Sequence, residues 1–101
     1  MSKKISTQEW RALLKMLRTN FPVSRQIVVR RVKQQDCETV LFDGKCYRIY
    51  VNSILDRQSQ IDSLIHGFVH VLCIDEAYDH KGRWGQVYSE VYSKWLQDQD
   101  T

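Results

Sequence analysis

The three histidines of this chain carry its clearest chemical signal. His66 and His70 lie four residues apart, and His80 follows ten residues later. Two histidines at positions i and i+4 of a helix project from the same side, so both imidazoles can reach one zinc ion at about 2.0–2.1 Å. A third histidine from the next loop leaves the fourth zinc position to water, whose pKa the metal lowers toward ~7. The spacing therefore predicts an open zinc site with all three histidines as ligands.

The same histidines fit a simpler interpretation without a metal. His66 and His70 would then be ordinary histidines of a helix surface or core, and His80 a loop residue. The protein would in that case be a structural or interaction module. What favours zinc is that the pair lies beside a complete apolar stripe of one helix and precedes the only other histidine of the chain.

Three helices are predicted, and the histidine pair belongs to the second. The first should span about 7–19, between a capping box at residues 6–9 and the helix-breaking Pro22. A capping-box-like start at residues 59–62 opens the second, and the third begins at Trp84 after a charged loop. The second helix carries an apolar stripe made of Ile61, Leu64, Ile65, Phe68, Val69 and Leu72.

Three runs rich in β-branched and aromatic residues separate the first two helices. They cover residues 26–33, 37–42 and 46–51, and Asp43-Gly44-Lys45 joins the last two. We expect an antiparallel meander. The 101 residues, 43% of them hydrophobic, suit a single core. The sequence thus predicts an α+β fold with an N-terminal helix, a three-stranded antiparallel sheet, a zinc-ligand helix and a C-terminal helix, as one domain over 1–101 with its core at about 7–97.

Two segments resemble the SprT-like zinc metallopeptidases, which belong to the zincins. They are residues 64–72, LIHGFVHVL, and residues 79–88, DHKGRWGQVY, followed by Tyr92. Small phage and bacterial members carry an H-E-x-x-H helix, then a histidine before a glycine-containing turn and a W-G-x-x-Y helix. The resemblance covers roughly residues 20–96.

This resemblance implies a minimal zincin-like fold and a Zn²⁺ cofactor held by His66, His70 and His80. It also implies that Trp84-Gly85 anchors the last helix behind the site. The family hydrolyses peptide bonds, so the expected partner is an extended peptide or protein, paired with a strand that borders the cleft.

Gly67 departs from the family pattern because it occupies the position of the catalytic glutamate. That glutamate is the general base that takes a proton from zinc-bound water, and glycine has no group to do so. Natural decay into a pseudo-enzyme and deliberate replacement of the glutamate both explain the change. Alternatively, a loop carboxylate supplies the base, and Glu76 is the candidate, with Asp75 and Asp79 beside it.

Further side chains near the histidines have two possible roles. Asp62, one turn before the pair, and Asp79, directly before the third histidine, are candidate acceptors for imidazole N–H groups or else exposed carboxylates. Cys73, one turn beyond the pair, is a candidate thiolate ligand or a buried free thiol.

The charge of the chain is unevenly distributed. Residues 1–50 carry a net charge of +7 and residues 51–101 a net charge of −4. A basic half can bind nucleic acid by neutralising phosphates, or can simply be a solvated surface. The alternative function is therefore a non-catalytic nucleic-acid-binding or interaction module with a structural zinc, in which Arg25, Arg30, Arg31 and Lys33 contact DNA.

The cysteines and the apolar segments indicate the compartment. Cys37, Cys46 and Cys73 are odd in number and form no C-x-x-C pair, which argues against a disulfide framework. Neither a signal peptide nor an apolar run of the ~20 residues that a membrane helix needs is present. We expect a cytoplasmic protein without a membrane partner.

Overall fold

The computed structural model describes residues 4–75 and 84–99. Helices stand at both ends of these residues and a small sheet lies between the first two helices, so the α+β prediction is confirmed. In chain order the elements are α1 (Thr7–Asn20), β1 (Ile27–Val32), β2 (Glu38–Phe42), β3 (Tyr47–Asn52), α2 (Arg57–Ile74) and α3 (Trp84–Gln99).

Helix α1 begins and ends where its sequence signals place it. The Ser6 side chain accepts a hydrogen bond from the backbone N–H of Glu9, as a capping box requires. The helix ends at Asn20, two residues before Pro22, because a residue before proline is disfavoured in helical conformation. Its buried side chains, Trp10, Leu13, Met16 and Leu17, recur at helical spacing and form one wall of the core.

Helix α2 begins earlier than the sequence pattern indicated. The predicted start at residues 59–62 is wrong, because Asp56 is the N-cap and accepts from the backbone N–H of Ser59 at 2.8 Å. An aspartate is as good an N-cap as a serine, and its carboxylate also interacts favourably with the positive end of the helix dipole. The hydrogen bond lowers the pKa of Asp56 below its usual range. The helix therefore gains almost a full turn before the apolar stripe.

The sheet is mixed, which corrects the predicted antiparallel meander. Strand β3 lies in the centre, antiparallel to β2 and parallel to β1. Residues 33–37 carry the chain across the end of β3, where Ser53 donates to the carbonyl of Val32 and Asn52 to that of Cys37. Only the β2–β3 connection holds a tight turn, with Gly44 at a φ of +93°, where glycine is favoured. The β2–β3 pairing was thus predictable and the β1 pairing was not.

Burial explains why β3 is the central strand. Its residues Tyr47, Ile49 and Val51 are buried and alternate with the half-buried Arg48 and Tyr50, whereas β2 has no fully buried residue. A strand with a continuous buried face is most stable with partners on both sides. We call the side of the sheet that carries Ile49 the inner face and the side that carries Tyr50 the outer face.

The core lies between the inner face and the helices. Helix α2 packs on β2 and β3, while α1 and α3 contact α2 from its other sides. Ten of the 18 residues of α2 are buried, so this helix is covered on most of its circumference. Within the described residues, no helix is long and apolar enough to cross a bilayer.

Gly67 is the point at which α2 comes closest to the sheet. It is fully buried, and a Cβ added there would lie 2.9 Å from Cγ2 of Ile49 and 3.3 Å from Cγ2 of Val40. Both methyl groups sit on β-branched side chains with restricted rotamers, so they cannot swing away freely. Glycine in a helix interior costs ~1 kcal/mol relative to alanine, and here the close helix–sheet contact explains its presence.

Gly67→Ala should therefore lower stability, although alanine is the better helix former. Overpacking a well-filled site costs about 1–3 kcal/mol, and the gain in helix propensity returns ~1 kcal/mol, which leaves a net loss of up to about 2 kcal/mol. Chemical denaturation measures this difference. The matched control is Gly85→Ala in α3, where an added Cβ meets nothing within 4 Å. That variant should be neutral or more stable, and equal effects at both sites would contradict the packing argument.

Candidate metal centre

Helix α2 presents His66 and His70 together on one face. Their ring centroids are 4.7 Å apart and the rings meet edge to face at 82°. The side chain of His66 is 40% exposed and His70 is exposed, so solvent reaches both. The i, i+4 spacing thus brings two imidazoles to one place, as the sequence predicted.

Glu38 at the start of β2 lies beside the first of these rings. Its Oε1 is 3.3 Å from Nδ1 of His66, a contact whose alignment falls short of a hydrogen bond. Nδ1 is buried and has no other hydrogen-bond partner in the described part of the chain. A small rotation of either side chain converts this contact into a carboxylate–imidazole hydrogen bond. Nδ1 then faces the carboxylate, and Nε2 is left for a ligand on the open side.

An aromatic row on α3 covers the histidines from the other side. The ring centroid of Trp84 is 4.9 Å from that of His66 and 5.6 Å from that of His70. Tyr88 stacks on Trp84 at 5.1 Å, and its ring centroid is 6.5 Å from that of His66. Trp84 thus lies next to both imidazoles of the pair. Its Nε1 is buried without a hydrogen-bond partner among the described residues.

Tyr92 extends this row and ties α3 to α2 through hydrogen bonds. Its hydroxyl donates to Oδ1 of Asp62 at 2.8 Å, and Gln58 donates both to that oxygen and to the tyrosine hydroxyl. Asp62 was a candidate acceptor for an imidazole, but its carboxylate holds Tyr92 instead. The carboxylate that lies beside His66 is that of Glu38.

Burial and charge set the protonation states around the histidines. Partial desolvation lowers the pKa of His70, and the nearby His66 lowers it further, while Glu38 acts in the opposite direction. The lowered pKa favours the neutral imidazole, which is the form that binds a metal. Burial raises the pKa of the Cys73 thiol, which is half-buried and packs against the core, so the predicted buried free thiol is only partly buried.

Of the other predicted site residues, three lie outside the described residues and one has a structural role. His80, Glu76 and Asp79 lie outside the described residues. Asp75 is described and nearly fully buried, and its carboxylate accepts from the backbone and hydroxyl of Ser24 and from the hydroxyl of Tyr47. This carboxylate joins the end of α2 to the loop after α1, which is a structural role.

Two of the three predicted ligands are thus brought together. Within residues 4–75 and 84–99, no group of three or more histidine, cysteine or acidic side chains is placed to hold a metal ion. The predicted third ligand, His80, lies in residues 76–83, outside the described part of the chain. The described half of the site fits zinc in its donor type, its exposure and its neutral imidazole.

A groove runs beside the histidines along the free edge of β2. Glu38, Val40, His70 and Ile74 line it, and its volume is about 380 Å³. Strand β2 pairs with β3 on one side only, so its other edge has unpaired backbone groups in the described sheet. Ile74 is 62% exposed at the end of this groove. An extended chain could bind here both by backbone hydrogen bonds and by apolar contact.

The four basic candidates for nucleic-acid contact do not share one surface. Arg30 and Arg31 are consecutive in β1 and therefore project to opposite faces of the sheet. The guanidinium of Arg31 lies 4.8 Å from the ring centroid of Trp10, and that of Arg25 lies 5.1 Å from the ring centroid of Phe42. Lys33 is exposed just after β1, and Arg30 is exposed on the outer face.

Comparison of the chain with protein-family models, with curated proteins and with solved structures gives no match. The likeness to SprT-like zincins therefore rests on the motif residues around the histidines.

Sequence reasoning missed two contributors to the site. Glu38 is 28 residues before His66, and only the packing of α2 across β2 makes them neighbours. The hydrogen bond between Asp62 and Tyr92 depends in the same way on how α2 meets α3. The one signal in the sequence is that Asp62, His66 and His70 follow one another at i, i+4 spacing, which places them along one side of the helix.

The hydrogen bond between Tyr92 and Asp62 predicts an unusual tyrosine titration. Burial, the hydrogen bond to Asp62 and the charge of that carboxylate raise the pKa of Tyr92 to about 12. A free tyrosine has a pKa of ~10, so the folded-state value is raised. The resulting stability is complete below about pH 10 and is lost as pH rises toward about 12. Asp62→Asn should lower the pKa of Tyr92 toward the ordinary value.

Tyrosinate absorbance, taken as the difference between the protein and its Tyr92→Phe variant, isolates this one titration. Asp36→Asn, in the exposed loop after β1, is the matched control and should leave the titration unchanged. A Tyr92 titration near the free-tyrosine value while the protein is still folded would contradict the contact between α2 and α3.

Proposed function

We propose that this protein is a zinc-binding domain of the SprT-like metallopeptidase type that has lost peptide hydrolysis. His66 and His70 supply two ligands, and His80 supplies the third from the segment between α2 and α3. The observation that carries the proposal is the pair of imidazoles 4.7 Å apart on one solvent-accessible face of a helix. Zinc bound there would keep an open position for water or a ligand atom.

The surroundings of the pair support a metal in preference to incidental histidines. A buried Nδ1 without an aligned partner is unusual in a folded protein, and zinc-bound histidines generally donate this second nitrogen to a carboxylate. Glu38 is in place for that contact once His66 is held by a metal at Nε2. The aromatic row of α3 excludes water from one side, which strengthens the electrostatic interaction of a cation with Glu38.

The absence of a general base at residue 67 supports the loss of hydrolysis. The Cβ of a side chain there would point toward the methyl groups of Ile49 and Val40 and not into open space beside the histidines. Zinc-bound water would therefore lack the carboxylate that accepts its proton and passes it to the leaving amine. Glu76 is the alternative base, and its role can be tested separately.

The partner we propose is an extended peptide segment of a protein. The groove along β2 lies directly beside His70, and the free strand edge offers backbone donors and acceptors in the pattern that strand addition needs. Without hydrolysis, such a site binds and releases its ligand unchanged. The three free cysteines support a reducing compartment, and we propose the cytoplasm.

Zinc binding is the first prediction of this proposal. The purified protein should take up one zinc ion per chain, and His66→Ala, His70→Ala and His80→Ala should each weaken binding by at least tenfold, because each removes a ligand. Glu38→Gln should weaken it by about tenfold or more through loss of the carboxylate beside His66. Competition with a chelating dye measures the zinc affinity of the protein and of the four variants.

Cys37→Ser is the matched control, because this exposed thiol can bind zinc adventitiously without belonging to the site. It should leave the affinity unchanged, and the cobalt(II) derivative should show a tetrahedral spectrum without thiolate bands. Failure of the protein to bind zinc, or equal affinity in all histidine variants, would overturn the proposal.

Peptide cleavage is the second prediction. The protein should bind an unfolded, fluorescently labelled casein without cleaving it. Gly67→Glu alone should fold poorly, whereas Gly67→Glu with Ile49→Ala removes the closest methyl group and makes room for the carboxylate. Zinc-dependent cleavage is expected only in this double variant, if its histidines still bind zinc.

The control is Gly67→Gln with Ile49→Ala, which has the same shape but cannot act as a base. Zinc-dependent cleavage by the unaltered protein that disappears in Glu76→Gln would assign the base to Glu76 and contradict the loss of activity. Absence of any cleavage in the folded, zinc-loaded double variant would count against peptidase ancestry.

A further inference from the structure

No helix lies on the outer face of the sheet among the described residues. Helix α2 lies on the inner face, against Ile49 and Val40, and the contact between Trp10 of α1 and Arg31 of β1 is also on the inner side. The strand register assigns the side chains of the outer face without ambiguity, because alternate residues point to opposite sides. They are Val28, Arg30 and Val32 of β1, Thr39 and Leu41 of β2, and Arg48, Tyr50 and the buried Asn52 of β3.

Tyr50 lies at the middle of this face with a basic side chain on each of two sides. It is half-buried on the central strand, opposite Arg30 in the parallel register and opposite Thr39 in the antiparallel register. Arg48 precedes it by two residues on the same strand and therefore lies on the same face. An aromatic ring with a guanidinium group on each of two sides offers a stacking surface next to groups that can contact phosphates.

Acidic side chains are excluded from the strand positions of this face. The only acidic residue within the three strands is Glu38, which projects from the inner face toward His66. Asp43, in the turn between β2 and β3, accepts from Nε of Arg48 at 2.7 Å and from two backbone N–H groups of its own turn. That ion pair orients Arg48 and offsets part of its charge, whereas Arg30 on the neighbouring strand is exposed to solvent.

We propose that the outer face of the sheet binds single-stranded nucleic acid. An unpaired base stacks on Tyr50, and the phosphates on either side of it contact Arg30 and Arg48. Stacking on an aromatic side chain tolerates any base, because every base has a π-face. A three-stranded sheet with a central aromatic residue and flanking basic residues offers the same chemistry as sheet platforms that bind single strands.

Charge favours this ligand over a second copy of the chain. A symmetric dimer through the outer face would bring Arg30 and Arg48 of one copy against those of the other, and buried like charges are destabilising. The exposed apolar area is also small, since Leu41, at 41% exposure, is the only exposed large apolar side chain on the face. A polyanion, in contrast, is attracted by the same arginines and gains from the release of its counterions.

The site is independent of the proposed zinc site, because the two lie on opposite faces of the sheet. It also replaces the grouping suggested by the sequence. Arg31 projects to the inner side against Trp10, and Arg25 lies over Phe42. Of the four basic residues in that grouping, Arg30 is the one that the strand register assigns to the outer face.

The test is binding of labelled oligodeoxythymidine and oligouridine of about 20 nucleotides, measured by fluorescence anisotropy at several salt concentrations. Affinity should fall as salt rises, and Arg30→Ala should reduce the salt slope by about 0.7, the value for one phosphate contact with a single strand. Tyr50→Ala should weaken binding by about fivefold or more at every salt concentration. Photo-crosslinking of oligo(4-thiouridine) should label Tyr50.

Arg11→Ala, on the exposed side of α1, is the matched control for charge and should change affinity little. Tyr50→Leu keeps an apolar side chain on the strand and serves if Tyr50→Ala does not fold. The proposal is overturned if the protein binds neither oligonucleotide at low salt, or if the Arg30 and Arg11 variants behave alike. A dimer that Tyr50→Leu converts to monomer would equally overturn it and assign the face to self-association.

Discussion

The close approach of α2 to the sheet at Gly67 is the contact on which the rest of the molecule depends. Because residue 67 has no side chain, the helix lies directly against Ile49 and Val40. That position brings the edge strand β2 beside the histidine-bearing face of α2, so that Glu38 reaches His66. The same contact gives a physical reason for a glycine in the interior of an 18-residue helix, which helix propensity alone disfavours.

The histidine face is held from its other side by α3. Trp84 and Tyr88 lie against the imidazoles, and the hydrogen bond from Tyr92 to Asp62 fixes how the two helices meet. The imidazoles are thus shielded from water on the side of the aromatic rings and exposed to solvent on the other side. This partial desolvation lowers the pKa of His70, which favours the neutral imidazole that the proposed zinc site requires.

Local signals in the sequence predicted the helices and strands well. They did not predict contacts between residues far apart in the chain. The capping box before α1 and the turn at Gly44 are read from neighbouring residues, and both are confirmed. The parallel pairing of β1 depends on how a five-residue loop crosses the end of β3, for which no residue type is diagnostic. Likewise the i, i+4 histidines were predictable, whereas Glu38 joins them only through the packing of α2 on β2.

The packing at residue 67 also bears on the proposal that glycine replaces a catalytic glutamate there. Removing a glutamate from an otherwise unaltered active site leaves a cavity of the size of its side chain, and such cavities are destabilising. Here the Cγ2 groups of Ile49 and Val40 occupy the space that the Cβ of a side chain at residue 67 would need. The volume beside Gly67 therefore holds either a catalytic carboxylate or the tight helix–sheet contact. The strands already fill that volume, so the packing is adapted to glycine, which is consistent with the proposed loss of hydrolysis by natural decay.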